Sequence, residues 1–331
     1  GMVASHDRRL RLIASNGRSR SALDFLEGPR QGNDIIAVGE FEHVTMLEML
    51  RQYKREPSKF FCEHIPSGPL DRVSIMVKTF LRDGYMKECV RRIRKSLPEC
   101  KIILVDDGRS HRDKIALYAE LQDQGHKVIW LPFDSGFGAK ANAAIPAMDR
   151  PYVLIASDDF DFHPEEVRAG ILRMLNVLDA EPAYSVASGR VNGNPYEGLF
   201  EFPSTGTVRE RRGYRGTYMT PQGITYHPCD ITVNYSLIRT AVFHKHGIRW
   251  DGGEVKIGGG EHGAFFLDLF NAGIKTVYVP GANINELPKT PYLQHPSYAE
   301  KRGRARQPGR PCFRKRGVLR YELFDGGVEV C

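Results

Sequence analysis

No apolar run in this 331-residue chain approaches the roughly 20 residues needed to cross a bilayer, and its opening stretch lacks a signal-peptide core. A soluble, cytoplasmic protein is expected on that basis. The six cysteines, Cys62, Cys89, Cys100, Cys229, Cys312 and Cys331, form no C-x-x-C pair and no compact secreted framework. Reduced, mostly buried thiols are therefore expected. No internal repeat is visible, and the only strongly biased stretch lies after Glu300.

The composition, 41% hydrophobic and 26% charged, is that of an ordinary globular protein. The balance of 47 Lys and Arg against 40 Asp and Glu gives +7, which suits an anionic partner. Much of the excess is local, because "KRGRARQPGRPCFRKRG" at 301–317 carries eight basic residues and no acid. A solvated basic tail and a tail that closes over an anion are both open readings. The same tail is where contact with an anionic membrane surface would be made.

Residues 1–70 are read as an N-terminal extension packed on the main domain, with a helix around "EHVTMLEMLRQYKRE". From Asp71 the rhythm changes. "RVSIMVKTF", "KIILVDD", "HKVIWLP" and "YVLIAS" read as buried strands, separated by helices at "GYMKECVRRIRKSL", "SHRDKIALYAELQDQG" and "FGAKANAAIPAM". Continuous apolar strands alternating with helices predict an α/β domain with a mostly parallel sheet flanked by helices. The domain is drawn over 71–300, with a nucleotide-binding half at 71–162 and an acceptor half at 163–300, and the basic tail is drawn over 301–331.

In open sheets of this kind ligands bind beyond the carboxyl ends of the strands. Those ends carry Lys78, Thr79 and Arg82, then Asp106 and Asp107, then Phe133 and Asp134, then Asp158 and Asp159. The last group opens "SDDFDF", three carboxylates within four positions that repel one another unless a cation or donors offset them. Hard cations such as Mg²⁺ take one or two carboxylates and share the rest of their shell with substrate phosphates. Asp159 is the primary candidate ligand, with Asp158 beside it. An acidic turn capping the helix that follows is the plainer reading, and both stay open.

"LVDDG" at the second strand, "GAKANAA" on a short helix and the acidic signature at the fourth strand resemble the inverting, nucleotide-sugar-dependent glycosyltransferases of family 2, with the GT-A fold. "VSIMVKTFLR", "DITVNYSLIRT" and "EHGAFFLDL" resemble, in the same order, motifs of the ganglioside N-acetylgalactosaminyltransferases. The similarity covers roughly residues 71–290. Where the family has Asp-x-Asp this chain has Ser157-Asp158-Asp159, which leaves Asp159 as the direct ligand of a Mn²⁺ or Mg²⁺ ion.

The resemblance implies the remaining roles. Thr79, Arg82, Asp106 and Asp107 would border the nucleoside, Lys140 and Asn142 would lie near the nucleotide, and Asp230 and Asn234 would face the transferred sugar. Glu261, after Gly258, Gly259 and Gly260, stands where the family keeps its general base, with His262 beside it as a support or phosphate contact. Glu286 stands at the place of a third metal ligand, with His295 as its rival. Trp250 and Asp251 would shape the acceptor pocket. The implied partners are a nucleotide-sugar donor, with UDP the family's habitual nucleotide, and a glycan or other hydroxyl acceptor. A nucleotidyltransferase would want a Gly-rich, Arg-containing loop after the first strand, which "VKTFLRDG" does not supply. No nucleic acid is expected as a partner, because the basic residues lie outside the α/β core and no recognition motif appears.

Overall fold

The structure, a computed structural model, divides into two units, Gly1–Gly68 and Pro69–Cys331. It describes residues 69–163, 165–252, 260–290, 293–304 and 311–331, together with four short strands before residue 69. The helix expected over "EHVTMLEMLRQYKRE" and the glycines Gly258 and Gly259 lie outside the described residues.

In the first unit β1 (Leu10–Ile13), β2 (Ser19–Ser21), β3 (Ile35–Val38) and β4 (Phe61–Cys62) form one sheet in the order β2-β1-β3-β4. β1 runs parallel to β3, and the outer pairs are antiparallel.

The second unit is built on a long sheet whose first half is parallel. β5 (Val73–Thr79) lies between β6 (Lys101–Asp106) and β8 (Tyr152–Ser157), and β7 (Lys127–Trp130) adds to β6. All seven residues of β5 are buried, Ser74, Lys78 and Thr79 among them, as a strand covered on both faces requires. Its side chains alternate: Ile75 and Val77 enter one core, and Met76 enters the other. Helices α1 (Asp83–Ser96) and α2 (Arg112–Asp123) cover the first face, and α3 (Phe137–Ala144) covers the second. The apolar stripe Met86, Cys89, Val90 and Ile93 of α1, at helical spacing, faces the sheet.

Beyond β8 the sheet becomes mixed. After β9 (Phe160–Asp161) and α4 (Glu165–Ala180) come β10 (Tyr184–Val191), β11 (Glu197–Ser204), β12 (Thr207–Arg212), β13 (Tyr218–Met219), β14 (Thr225–Cys229), β15 (Ile231–Thr232) and β16 (Ser236–Arg239). Then follow α5 (Ala241–His244), α6 (Glu261–Asn271) and β17 (Lys275–Glu286). The order across the sheet is β13-β14-β17-β10-β16-β8-β5-β6-β7, with β9 paired to β17. β16 runs antiparallel to β8 and β10, whereas β10 and β17 are parallel.

The C-terminal segment differs from a tail. After α7 (Ser297–Arg304), α8 (Pro311–Arg314), β18 (Arg320–Glu322) and β19 (Val328–Val330) return to the domain, and β18 joins β12 in a second sheet, β15-β11-β12-β18-β19. Cys312, Phe313, Val318 and Tyr321 are buried in the same core as α6. Arg316 bridges Asp251 at 2.6 Å and also pairs with Asp268. The basic run is thus interleaved with apolar anchors, and the local unit extends to Cys331 rather than closing at residue 300.

Candidate active site

A cleft of about 560 Å³ opens at the carboxyl ends of β5 and β8. Register sets Lys78 of β5 beside Ser157 of β8, so the residues after each strand end meet at one place. Leu81, with φ of 54°, turns the chain sharply after β5. A non-glycine residue held in that region is usually fixed by its surroundings. Here Leu81 is buried, and its carbonyl accepts from the His295 amide at 2.7 Å. The turn delivers Arg82 to the acidic pair: Nη1 lies 3.1 Å from Asp158 Oδ1, and Nη2 donates to Asp159 Oδ2 at 2.5 Å. Arg82 Nη1 also donates to the Tyr298 hydroxyl at 3.3 Å, and the guanidinium packs over the Tyr85 ring.

Burial pushes the Asp158 carboxyl up to about 6, with Arg82 opposing the shift and Asp159 adding to it. Asp159 Oδ1 is buried and accepts no hydrogen bond among the described residues. Asp161 is drawn elsewhere, pairing with Arg92 at 2.5 Å and accepting from the His163 amide at 2.8 Å ahead of α4.

The start of α6 also lines the cleft. Gly260 precedes it with φ of 86°, a conformation that favours glycine, and so places Glu261 as the first helical residue, 8% exposed. The His262 Nε2 lies 2.6 Å from the Thr232 carbonyl. A carbonyl can only accept, so Nε2 carries the proton and the neutral ring leaves Nδ1 as an acceptor. Burial lowers the pKa of His262, which favours that neutral form.

Six of the expected residues, Arg82, Lys140, Asp158, Asn234, Glu261 and His262, line this one cleft. Asp159, outside that lining, is held by Arg82, and most of the others are engaged inside the protein. Asp106 is fully buried, 2.7 Å from Lys114 Nζ, and accepts from the Tyr118 hydroxyl and the Gly108 amide. Asp107 accepts from Lys140 Nζ at 2.6 Å and from the Gly136 amide at 2.9 Å. Both aspartates are consumed inside the protein, since a buried carboxylate needs donors on the spot, and the nucleoside contact expected of them is replaced by a scaffolding role. Thr79 is buried, and its carbonyl accepts from Lys140.

Asn142 holds the Trp250 backbone at both its amide, 3.0 Å, and its carbonyl, 2.7 Å. Gly138 makes that approach feasible, because a Cβ there would sit 1.5 Å from the Asp251 carbonyl oxygen. The Trp250 ring stacks on Phe265, with centroids 4.3 Å apart, and so belongs to the core rather than to a sugar pocket. Asp230 is held by both Arg215 nitrogens at 2.6 Å and by the Phe200 amide. The Glu286 carboxylate accepts from Asn192 at 3.1 Å, and His295 Nδ1 lies 2.7 Å from Ser297 Oγ. Neither is brought to the cleft. No group of three His, Cys, Asp or Glu side chains among the described residues is arranged to hold a metal ion.

Sequence reasoning singled out neither Phe137 nor Tyr196 nor Tyr298, all of which line the cleft, and saw Lys78 only as a strand end. Phe137 and Lys78 could have been found from their places at a helix start and a strand end. Tyr196 and Tyr298 come from distant segments with no local signature.

Glycosyl transferase family 2 is matched over residues 74–247, more than half of the chain. The chain belongs to glycosyltransferase family 2. The matched region of this family 2 glycosyltransferase contains the parallel half-sheet, Asp158 and Asp159, and the segment leading to β16. Its mixed sheet flanked by helices is the GT-A arrangement. Beta-1,4 N-acetylgalactosaminyltransferase 2 of Mus musculus is 30% identical over 227 residues, covering 66% of this chain and 40% of that protein. Beta-1,4 N-acetylgalactosaminyltransferase 1 of Homo sapiens is 28% identical over 250 residues, covering 72% and 43%. The chain thus spans about two fifths of the length of the curated relatives it matches. A crystal structure of S. aureus TarS 1-349 in complex with UDP is similar at 15% identity, with a TM-score of 0.44 over 67% of this chain and 61% of that one.

Proposed function

We propose that this family 2 member is a metal-dependent, inverting glycosyltransferase that moves a sugar from a nucleotide-sugar donor to a hydroxyl of a glycan or other acceptor. The observation that carries the reading is that a second carboxylate, Glu261 at the start of α6, lines the same cleft as Asp158. Asp158 and Asp159 are the residues that would hold Mn²⁺ or Mg²⁺. The buried, unbonded Oδ1 of Asp159 is a hard oxygen suited to such an ion, and a two-carboxylate site is completed by donor phosphates. Glu286 and His295 are not needed for that shell. When bound, the ion would offset the charge that develops on the departing diphosphate.

The protein's own groups supply the rest. Glu261 takes the acceptor proton as the hydroxyl attacks the anomeric carbon. His262, neutral and fixed by Thr232, offers Nδ1 as an acceptor beside it. Asn234 contacts the transferred sugar, and Arg82 follows the acidic pair as their counter-charge. Inversion is favoured because a double displacement needs a second carboxylate as nucleophile, and the bidentate pairing of Asp230 with Arg215 occupies that candidate. The names of the relatives make an N-acetylhexosamine the first sugar to test, and UDP the first nucleotide. The five described cysteines, all free and buried, suit the reducing, cytoplasmic setting proposed alongside. A panel of nucleotide sugars with Mn²⁺ tests the reading, scored by nucleotide release and by the anomeric proton coupling of the product. No turnover with any donor, or a product of retained configuration, overturns it.

A further inference from the structure

Among the described residues, Lys78 is a cation of the cleft with no carboxylate partner within ion-pair distance. It is 8% exposed and lines the cleft. Its Nζ donates one long hydrogen bond, 3.3 Å to the Ala156 carbonyl, and lies 4.8 Å from the centroid of the Phe137 ring. No ion pair to it is found among the described residues, whereas Lys140 and Lys114, both buried on helices that cover the sheet, pair with aspartates at 2.6–2.7 Å. An ammonium has three donors, so two of Lys78's find no acceptor among the described residues. Burying a charge in that condition is unfavourable unless something in the working state repays it.

The position of the ammonium indicates what that is. Lys78 lines the same cleft as Asp158, Glu261 and His262. Register sets it beside Ser157, the residue before the acidic pair. If the donor binds as proposed above, the bond from the anomeric carbon to the diphosphate oxygen lies in that cleft. Burial, and the charge of Lys140, lower the pKa of Lys78 to about 7, so an arriving anion would hold its proton in place.

We infer that Lys78 is a direct contact to the distal phosphate of the nucleoside diphosphate, stabilising the leaving group. When the anomeric C–O bond breaks, its electron pair stays on that phosphate oxygen, and the ammonium offsets the new charge without giving up its proton. The inference rests on the proposed donor chemistry and adds a cation from the protein itself to that site.

The test is isothermal titration of wild type and Lys78→Met with UDP and UMP, and with GDP and GMP, in the presence of Mn²⁺. A charge-assisted hydrogen bond to phosphate is worth about 10- to 100-fold in affinity. The variant should lose that factor for the diphosphate and keep wild-type affinity for the monophosphate, which lacks the distal group. Equal losses for both would assign Lys78 a merely structural role and overturn the inference, as would an unchanged diphosphate affinity. Wild type that binds none of the four nucleotides would overturn the donor reading itself, and this contact with it. Lys78→Gln is read in the same way should the methionine variant fail to give a wild-type circular dichroism spectrum.

Discussion

Glu261→Gln keeps the shape of the side chain and removes its basicity. Loss of a general base costs about 10²- to 10⁴-fold in rate, so the variant should bind nucleotide as wild type does and transfer sugar slowly in single-turnover assays. Wild-type transfer would clear Glu261 of the role. Asp159→Ala acts on the acidic pair. It removes the hard oxygen at Oδ1 and should abolish Mn²⁺-dependent UDP binding in calorimetry while circular dichroism stays unchanged. Titration of Lys78 adds a pH prediction for the metal- and nucleotide-free protein. Its folded pKa of about 7 is below that of a free lysine, so between those values the unfolded chain binds more protons at this position than the native one. Its contribution therefore becomes more favourable as pH rises through that window. In urea titrations at pH 8 and pH 9, the unfolding free energy of wild type minus that of Lys78→Met should grow by about 1.4 kcal/mol per pH unit. A pH-independent difference would mean that the ammonium is not perturbed.

At the scale of elements, the buried strands and covering helices of the first half were legible because short, largely apolar runs and stripes at helical spacing report their own burial. The C-terminal element was not. Its charge excess is local in sequence, and the apolar residues that anchor it, Phe313, Val318 and Tyr321, are single positions among arginines. Phe313 is fully buried, and Phe313→Ala should cost about 3–5 kcal/mol in urea unfolding monitored by circular dichroism. A solvated tail would make that substitution neutral. β11 escaped notice for a related reason: "EGLFEFPS" contains a glycine and a proline, and its pairing with β12 and β15 is what holds it extended.

For the whole molecule, ligand linkage gives an overall check. A nucleoside diphosphate that binds the native state alone at about 100 times its Kd adds about 2.7 kcal/mol of stability. UDP with Mn²⁺ should therefore raise Tm, and a chelator should take away the metal-dependent part. A Tm unmoved by any nucleotide, with or without metal, would argue against a donor site in the cleft.

What the sequence by itself determined was the parallel half of the sheet, the acidic pair at the end of β8 and the glutamate at the start of α6. Each is a local pattern whose physical meaning is carried by neighbours along the chain. The tertiary structure decided which charges remain for a ligand. Asp106, Asp107, Asn142 and Asp230 look in sequence like the residues of a site, yet each is satisfied by a partner brought in by the fold: Lys114, Lys140, the Trp250 backbone and Arg215. Lys78 looks like one more lysine, and the fold buries it beside a single carbonyl. A buried polar group is governed by what lies within hydrogen-bonding distance of it, and those neighbours come from segments far apart in the chain.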